Sequence, residues 1–278
     1  MTVSFLSRRT YAAAALGTLL AVAACSSGSG SGSTGSGSTA TGTTPATSST
    51  SGPAVTGTVT VLAAASLTES FTTIAKQFEA AHPGVKITLS FGPSSGLAQS
   101  IVAGAPADVF ASASKKTMTT VTDAKAASDP TVFVRNYLTI AVPPTNPAHI
   151  TSLADLAKPG VKVAVCQAQV PCGTVAKAVF DAAKLTVTPV TQEVDVKGVL
   201  TKVQLGEVDA GLVYRTDVTA AGSKVASVDL PESTASGTAY PIAVLTAAPN
   251  PSGAAAFVAY VLSEQGRSVL TAQGFAAP

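Results

Sequence analysis

Tryptophan is absent from this chain, and aromatic rings, charges, histidine and cysteine are scarce. Only 5% of the 278 residues are aromatic and 12% are charged. Two histidines and three cysteines, with no C-x-x-C or H-x-x-x-H spacing, give little to build a metal cluster or a redox pair from. Long apolar runs are missing too. The stretch from Tyr11 to Ala24 falls short of the roughly 20 residues that a membrane-spanning helix needs.

That stretch instead fits a targeting segment. Arg8 and Arg9 form a basic region ahead of it, so residues 1–24 are expected to be a removable signal. The text "SRRTY" also fits a twin-arginine signal, and the export route stays open between the two. The run ends in Val22-Ala23-Ala24-Cys25, which resembles the bacterial lipobox, whose cysteine is diacylated and becomes the mature N-terminus. Residues from Ser26 to about Gly57 are almost wholly Ser, Gly, Thr, Ala and Pro. Such a segment cannot bury enough surface to fold and behaves as a tether, so 25–57 is expected to be a lipid anchor with a flexible linker.

Arg8 and Arg9 are two of the chain's 17 basic residues, so their removal leaves 15 against 15 acidic ones. A neutral mature chain offers no basic footprint for nucleic acid. Export implies an oxidising compartment. With Cys25 acylated, Cys166 and Cys172 remain as an even pair, and their six-residue step, with Pro171 between them, suits a small closed loop.

From Thr58 the pattern alternates. "TVTVLAAAS" reads as a strand. Leu67, Phe71, Ile74, Ala75 and Phe78 then recur at helical spacing before a Pro-Gly stop. "VKITLSF", "DVFAS", "FVRNYLTIAVPP", "VKVAVCQ", "TVTPVTQEV", "DAGLVY" and "YPIAVLTAA" read as further strands with helices between them. This rhythm predicts an α/β fold with largely parallel sheets, in one large or two small domains.

"GPSSG" (Gly92 to Gly96) matches G-x-S-x-G with Ser94 as nucleophile. The histidine after it, His149, lies in a loop, which makes a serine hydrolase a minor alternative. The helix starts are more telling. Ser66 with Glu69 three residues on has a capping-box pattern. Ser94 and Ser95 precede a helix, Cys172-Gly173 opens another and Asp195 caps a third. Each follows a strand. In an open α/β sheet such helix N-termini gather at one edge, where free N–H groups and partial positive charge can hold an anion without Lys or Arg.

In order along the chain, "VTVLAAASLTESFTTIAKQFE", "FGPSSGLAQSIVAGAPADVFASAS", "VPCGTVAKAVF", "EVDVKGVLTKVQLGEVDAGLVYRTDV" and "YPIAVL…GRSVLTAQGF" resemble the periplasmic molybdate-binding proteins of ABC importers. The resemblance runs from about Thr58 to the end. It implies a two-lobed class II binding-protein fold, with the first lobe in 58–138, the second in 139–236 and a return to the first in 237–278. Hinge strands are expected near Phe133 to Val142 and near Ser236 to Val244. The implied ligand is molybdate or tungstate, held only by uncharged donors: the hydroxyls and amides of Ser66 and Ser94, the amides of Cys172 and Val196, and the Tyr214 hydroxyl. Because this chain has Pro93 where relatives often carry another serine, Ser94 and Ser95 are both open for the second contact. Glu69, Asp108 and Asp195 are read as caps and loop supports.

The donor set suits the ion. A fully deprotonated oxyanion only accepts hydrogen bonds, so a site of N–H and O–H groups pairs them all. Hydrogenphosphate brings a proton that such a site leaves unpaired, costing ~1–3 kcal/mol. Sulfate would have to be rejected by size. The resemblance further implies an extracytoplasmic lipoprotein, monomeric, without cofactor or enzymatic activity, that delivers its ion to an ABC permease. A sulfate or phosphate binder, and a surface protein that binds nothing, are the rival readings. On this account Cys166 and Cys172 pair as a disulfide that fixes the Cys172 amide.

Overall fold

The computed structural model describes residues 55–278. The signal at 1–24, the acylation of Cys25 and nearly all of the tether lie outside the described residues. In chain order the elements are β1 (Gly57–Ala64), α1 (Thr68–Ala81), β2 (Val85–Gly92), α2 (Ser94–Val102), β3 (Val109–Ala111), α3 (Lys115–Asp123), β4 (Thr131–Asn136) and β5 (Leu138–Val142). They continue with β6 (Val163–Cys166), α4 (Pro171–Ala182), β7 (Thr191–Glu193), α5 (Val196–Gln204), β8 (Ala210–Tyr214), α6 (Arg215–Ala221) and β9 (Ala226–Val228). Last come β10 (Thr238–Val244), α7 (Pro251–Leu262) and α8 (Glu264–Ala272).

Two five-stranded sheets result, ordered β2-β1-β3-β10-β4 and β7-β6-β8-β5-β9. Each centres a lobe. The first sheet is covered on both faces, and the alternation along β1 shows how. Val59, Val61 and Ala63 point to one core with Phe71, Ile74 and Phe78 of α1 and Phe257 and Val261 of α7. Leu62 points the other way, to a smaller core with Phe110, Ala98 and Ile101 of α2, and Met118 and Val121 of α3. The stripe on α1 is what the sequence spacing predicted. Fully burying each such large apolar side chain contributes about 1.5–3 kcal/mol. The second lobe has one core, in which Ile140, Val163, Leu212, Val179, Val199 and Val203 meet.

The sheets are mixed rather than largely parallel. β10 runs antiparallel to both β3 and β4, and β5 antiparallel to both β8 and β9. The reason is the crossing between lobes. "FVRNYLTIAV" is two strands, not one: β4 ends at Asn136 in the first sheet and β5 starts at Leu138 in the second. The chain returns at Gly237, and Thr238 pairs with Asn136. A strand that starts where β4 stopped must run back along it. The two crossings touch, because a Cβ on Gly237 would lie 2.2 Å from Cε1 of Tyr137. Any larger residue would have to push the Tyr137 ring aside. The Arg215 guanidinium in turn sits 5.6 Å over the Tyr137 ring.

Other readings change in detail. "TVTPVTQEV" forms a strand only over Thr191–Glu193, and the links between strands include a 3-10 turn at Leu153–Ala157 and the helix α6 directly after Tyr214. Among the described residues no helix is long and apolar enough to cross a membrane.

Candidate functional site: a pocket of hydroxyls and amides between the lobes

Strand ends of both sheets face each other across a small pocket. From the first lobe it is lined by Ala64 to Ser66 after β1, by Gly92 to Ser94 between β2 and α2, and by Ala113. From the second it is lined by Val170 to Cys172 at the start of α4, by Asp195 and Val196 at the start of α5, and by Tyr214 at the end of β8. All five expected ligand residues, Ser66, Ser94, Cys172, Val196 and Tyr214, therefore meet in one place. Its interior of about 20 Å³ has room for one small ion. An organic ligand of drug size takes roughly 300–1,000 Å³. A larger depression of about 420 Å³ lies further out, lined by Lys115, Lys116, Arg135 and Ser95 among others, but none of the five expected ligand residues lines it.

Each hydroxyl is arranged to donate inward. Ser94 Oγ accepts from the Ala113 amide at 3.0 Å, which leaves its own proton free. Ser66 Oγ and the Tyr240 hydroxyl are 2.8 Å apart, and Asn136 Nδ2 donates to the Tyr240 oxygen at 3.4 Å. With that oxygen accepting from Asn136, the Tyr240 proton is available to Ser66, and in that arrangement Ser66 can donate into the pocket. The Tyr214 hydroxyl is buried and has no hydrogen-bond partner. Burial, and next the neighbouring Tyr240, hold its pKa well above the usual value, so it stays a neutral donor. Leaving a buried hydroxyl unpaired costs about 1–3 kcal/mol, and here it lines a pocket that an acceptor could enter.

Amides supply the rest. Ser94, Cys172 and Val196 lie in the first turns of α2, α4 and α5, where N–H groups have no acceptor one turn back. Three helix N-termini thus add positive partial charge to a pocket without a Lys or Arg in its lining. A disulfide between Cys166 and Cys172 joins the end of β6 to the first turn of α4. The loop it closes folds so tightly that a Cβ on Gly173 would lie 1.9 Å from the Gln167 carbonyl oxygen.

Placement separates the two serines. α2 begins at Ser94, directly after Pro93, so the two serines open the helix rather than precede it. Ser94 is buried in the pocket, whereas Ser95 faces the outer depression. His149, the histidine considered as a partner for Ser94, is exposed in a loop with φ of 51° and does not line the pocket.

Asp195 is the cap expected of it, accepting from the Gly198 amide at 3.0 Å. Asp108 supports loops, accepting from the amides of Thr60 at 2.7 Å and Asn250 at 2.6 Å. The capping box at Ser66 and Glu69 does not form. Leu67 is the N-cap residue of α1, Ser66 turns to Tyr240, and Glu69 reaches across to Lys197. Lys197 also lies 3.1 Å from Asp217 Oδ1, a charge contact rather than a well-directed hydrogen bond. Burial pushes the Asp217 carboxyl up to about 6, against the downward pull of Lys197. Burial alone would lower Lys197, but Asp217 and Glu69 outweigh it and hold the ammonium above its ordinary range.

Tyr240, Asn136, Lys197 and Asp217 are the residues that sequence reasoning missed. Tyr240 and Asn136 lie on the expected hinge strands, and a polar side chain in a buried strand was the available signal for Asn136. Nothing local marks the other two.

Comparison with known proteins gives the family and the fold. The family model for bacterial extracellular solute-binding proteins matches residues 59–276. The molybdate-binding protein ModA of Mycobacterium bovis is 43% identical over 233 residues, 83% of this chain and 89% of that protein. The ModA of Escherichia coli is 33% identical, over 79% of this chain and 89% of its own. The periplasmic molybdate-binding protein of Azotobacter vinelandii matches in fold, with a TM-score of 0.71 at 18% identity over 79% of this chain and 99% of that one.

Proposed function

The chain belongs to the family of bacterial extracellular solute-binding proteins, and from that premise we propose that it captures molybdate, and equally tungstate, between its lobes. The observation that carries this reading is the pocket's inventory. Donors from both lobes converge on a space for one small ion, each hydroxyl can turn its proton inward, and one buried hydroxyl has no protein partner. A dianion without protons satisfies them all. The 43% identical relative carries the name of a molybdate-binding protein, which supports the choice of ion.

The function needs no bond to be made or broken. Ser66 and Ser94 approach the ion from the first lobe, and Cys172, Val196 and Tyr214 from the second. Closure about the paired crossings at Tyr137 and Gly237 completes the set. The closed form then presents both lobes to an ABC permease. Acylation at Cys25 would keep the protein at the outer face of the membrane, as a monomer on its tether. Calorimetry tests the ion. Submicromolar molybdate affinity is expected, with sulfate and phosphate at least about a hundredfold weaker. No heat with molybdate would sink the proposal.

A further inference from the structure

Among the described residues, five ion pairs join groups within one lobe or within the second lobe's own elements, and one joins the lobes. Lys197 Nζ donates to Glu69 Oε1 and Oε2, each at 2.9 Å. Glu69 sits in the first turn of α1, three residues past Ser66. Lys197 sits in the first turn of α5, next to Val196. Asp217 follows Tyr214 by three residues, and its Oδ2 is fixed by the Tyr214 amide at 3.0 Å. Every member of the cluster therefore stands within one turn of a pocket residue.

We propose that Glu69 and Lys197 form a latch that holds the two lobes closed and so sets how long a captured ion stays. Asp217 is the positioning residue that aims Lys197 at Glu69. The proposal rests on the solute-binding reading. Its logic is in which contact survives opening. Lys197 and Asp217 belong to the same lobe and stay together, so no buried charge is stranded when the lobes part. Glu69 leaves with the other lobe, and only its two hydrogen bonds break. The pair is partly shielded, with the Lys197 side chain 25% exposed and Glu69 40%, so it is screened less than a surface pair but not locked in. The Lys197 ammonium also offsets the Glu69 carboxylate, which would otherwise repel a dianion seated one turn away.

The test is the effect of Glu69→Gln in two backgrounds. In the wild type it should weaken molybdate binding about fivefold or more, through faster release. In a Lys197→Met/Asp217→Asn background, which removes the latch and both charges of the second lobe's buried pair, the same change should cause no loss and should tighten binding modestly, because it removes a carboxylate that Lys197 no longer offsets. Equal affinity of Glu69→Gln and wild type overturns the latch, as does the same loss in both backgrounds. Restored affinity in Glu69→Asp, whose shorter carboxylate can still reach a mobile lysine, supports it. Small-angle scattering of the ion-free protein separates the latch from the functional reading. If the wild type does not bind molybdate, that reading fails, but a larger radius for Glu69→Gln than for wild type still supports the latch. No difference in radius in that case overturns it too.

Discussion

Replacing Tyr214 by phenylalanine separates a ligand role from a structural one, because the two roles predict opposite signs. The Tyr214 hydroxyl is buried without a partner and lines the pocket. If it serves the ion, it makes a hydrogen bond to a charged acceptor, worth about 1.5–3 kcal/mol. Its loss should then weaken molybdate about 10- to 150-fold. In the ion-free protein no protein group pairs with that hydroxyl, so no protein hydrogen bond is lost with it. Removing it should leave the ion-free protein as stable or raise its Tm by a few degrees, since about 1 kcal/mol corresponds to roughly 2–4 °C at this size. Calorimetric titration and thermal unfolding without ion give the two numbers. Unchanged affinity, or a lower ion-free Tm with affinity intact, would refute the reasoning and make Tyr214 a core aromatic.

The pocket's outer support can be tested through Tyr240→Phe. It removes the donor to Ser66 Oγ, and should weaken molybdate by roughly tenfold while lowering stability by about 1 kcal/mol, both measurable in the same two assays. Opening the disulfide with Cys166→Ser/Cys172→Ser frees a loop of about seven residues, for which chain entropy predicts roughly 2–2.5 kcal/mol lost to denaturant unfolding. Equal midpoints under oxidising and reducing conditions would contradict it. Asp217 gives a pH test. Its folded pKa of about 6 lies above the ordinary aspartate value of 3.8, so the fold binds its proton more tightly than the unfolded chain does. The stability this contributes is full below pH 3.8 and is lost as pH rises through 6. The Tm of wild type minus that of Asp217→Asn should therefore fall between about pH 4 and pH 6. A flat or rising difference would contradict the burial argument.

Local chemistry was legible in the sequence where the responsible residues are neighbours. The apolar stripe on α1, the strand ends at Ser66 and Tyr214 and the cap at Asp195 all follow from spacing that one element imposes on itself. The ordered resemblance along the chain supplied expected roles for five residues, and all five line one pocket. What could not be read is what depends on distant partners. β10 runs antiparallel because it re-enters beside the point where β4 left, 102 positions earlier in pairing terms from Thr238 to Asn136. Ser66 meets Tyr240 at a separation of 174 residues, and Lys197 meets Glu69 at 128. In both cases the tertiary partner displaced the local capping box that "SLTE" suggested.

The most direct measurement is a crystal structure grown with tungstate and located by its anomalous scattering. The account predicts a single strong peak between the lobes, its oxygens at about 2.7–3.2 Å from the hydroxyls of Ser66, Ser94 and Tyr214 and the amides of Cys172 and Val196. A peak instead among Lys115, Lys116 and Arg135 in the outer depression, with the inner pocket bare, would contradict it.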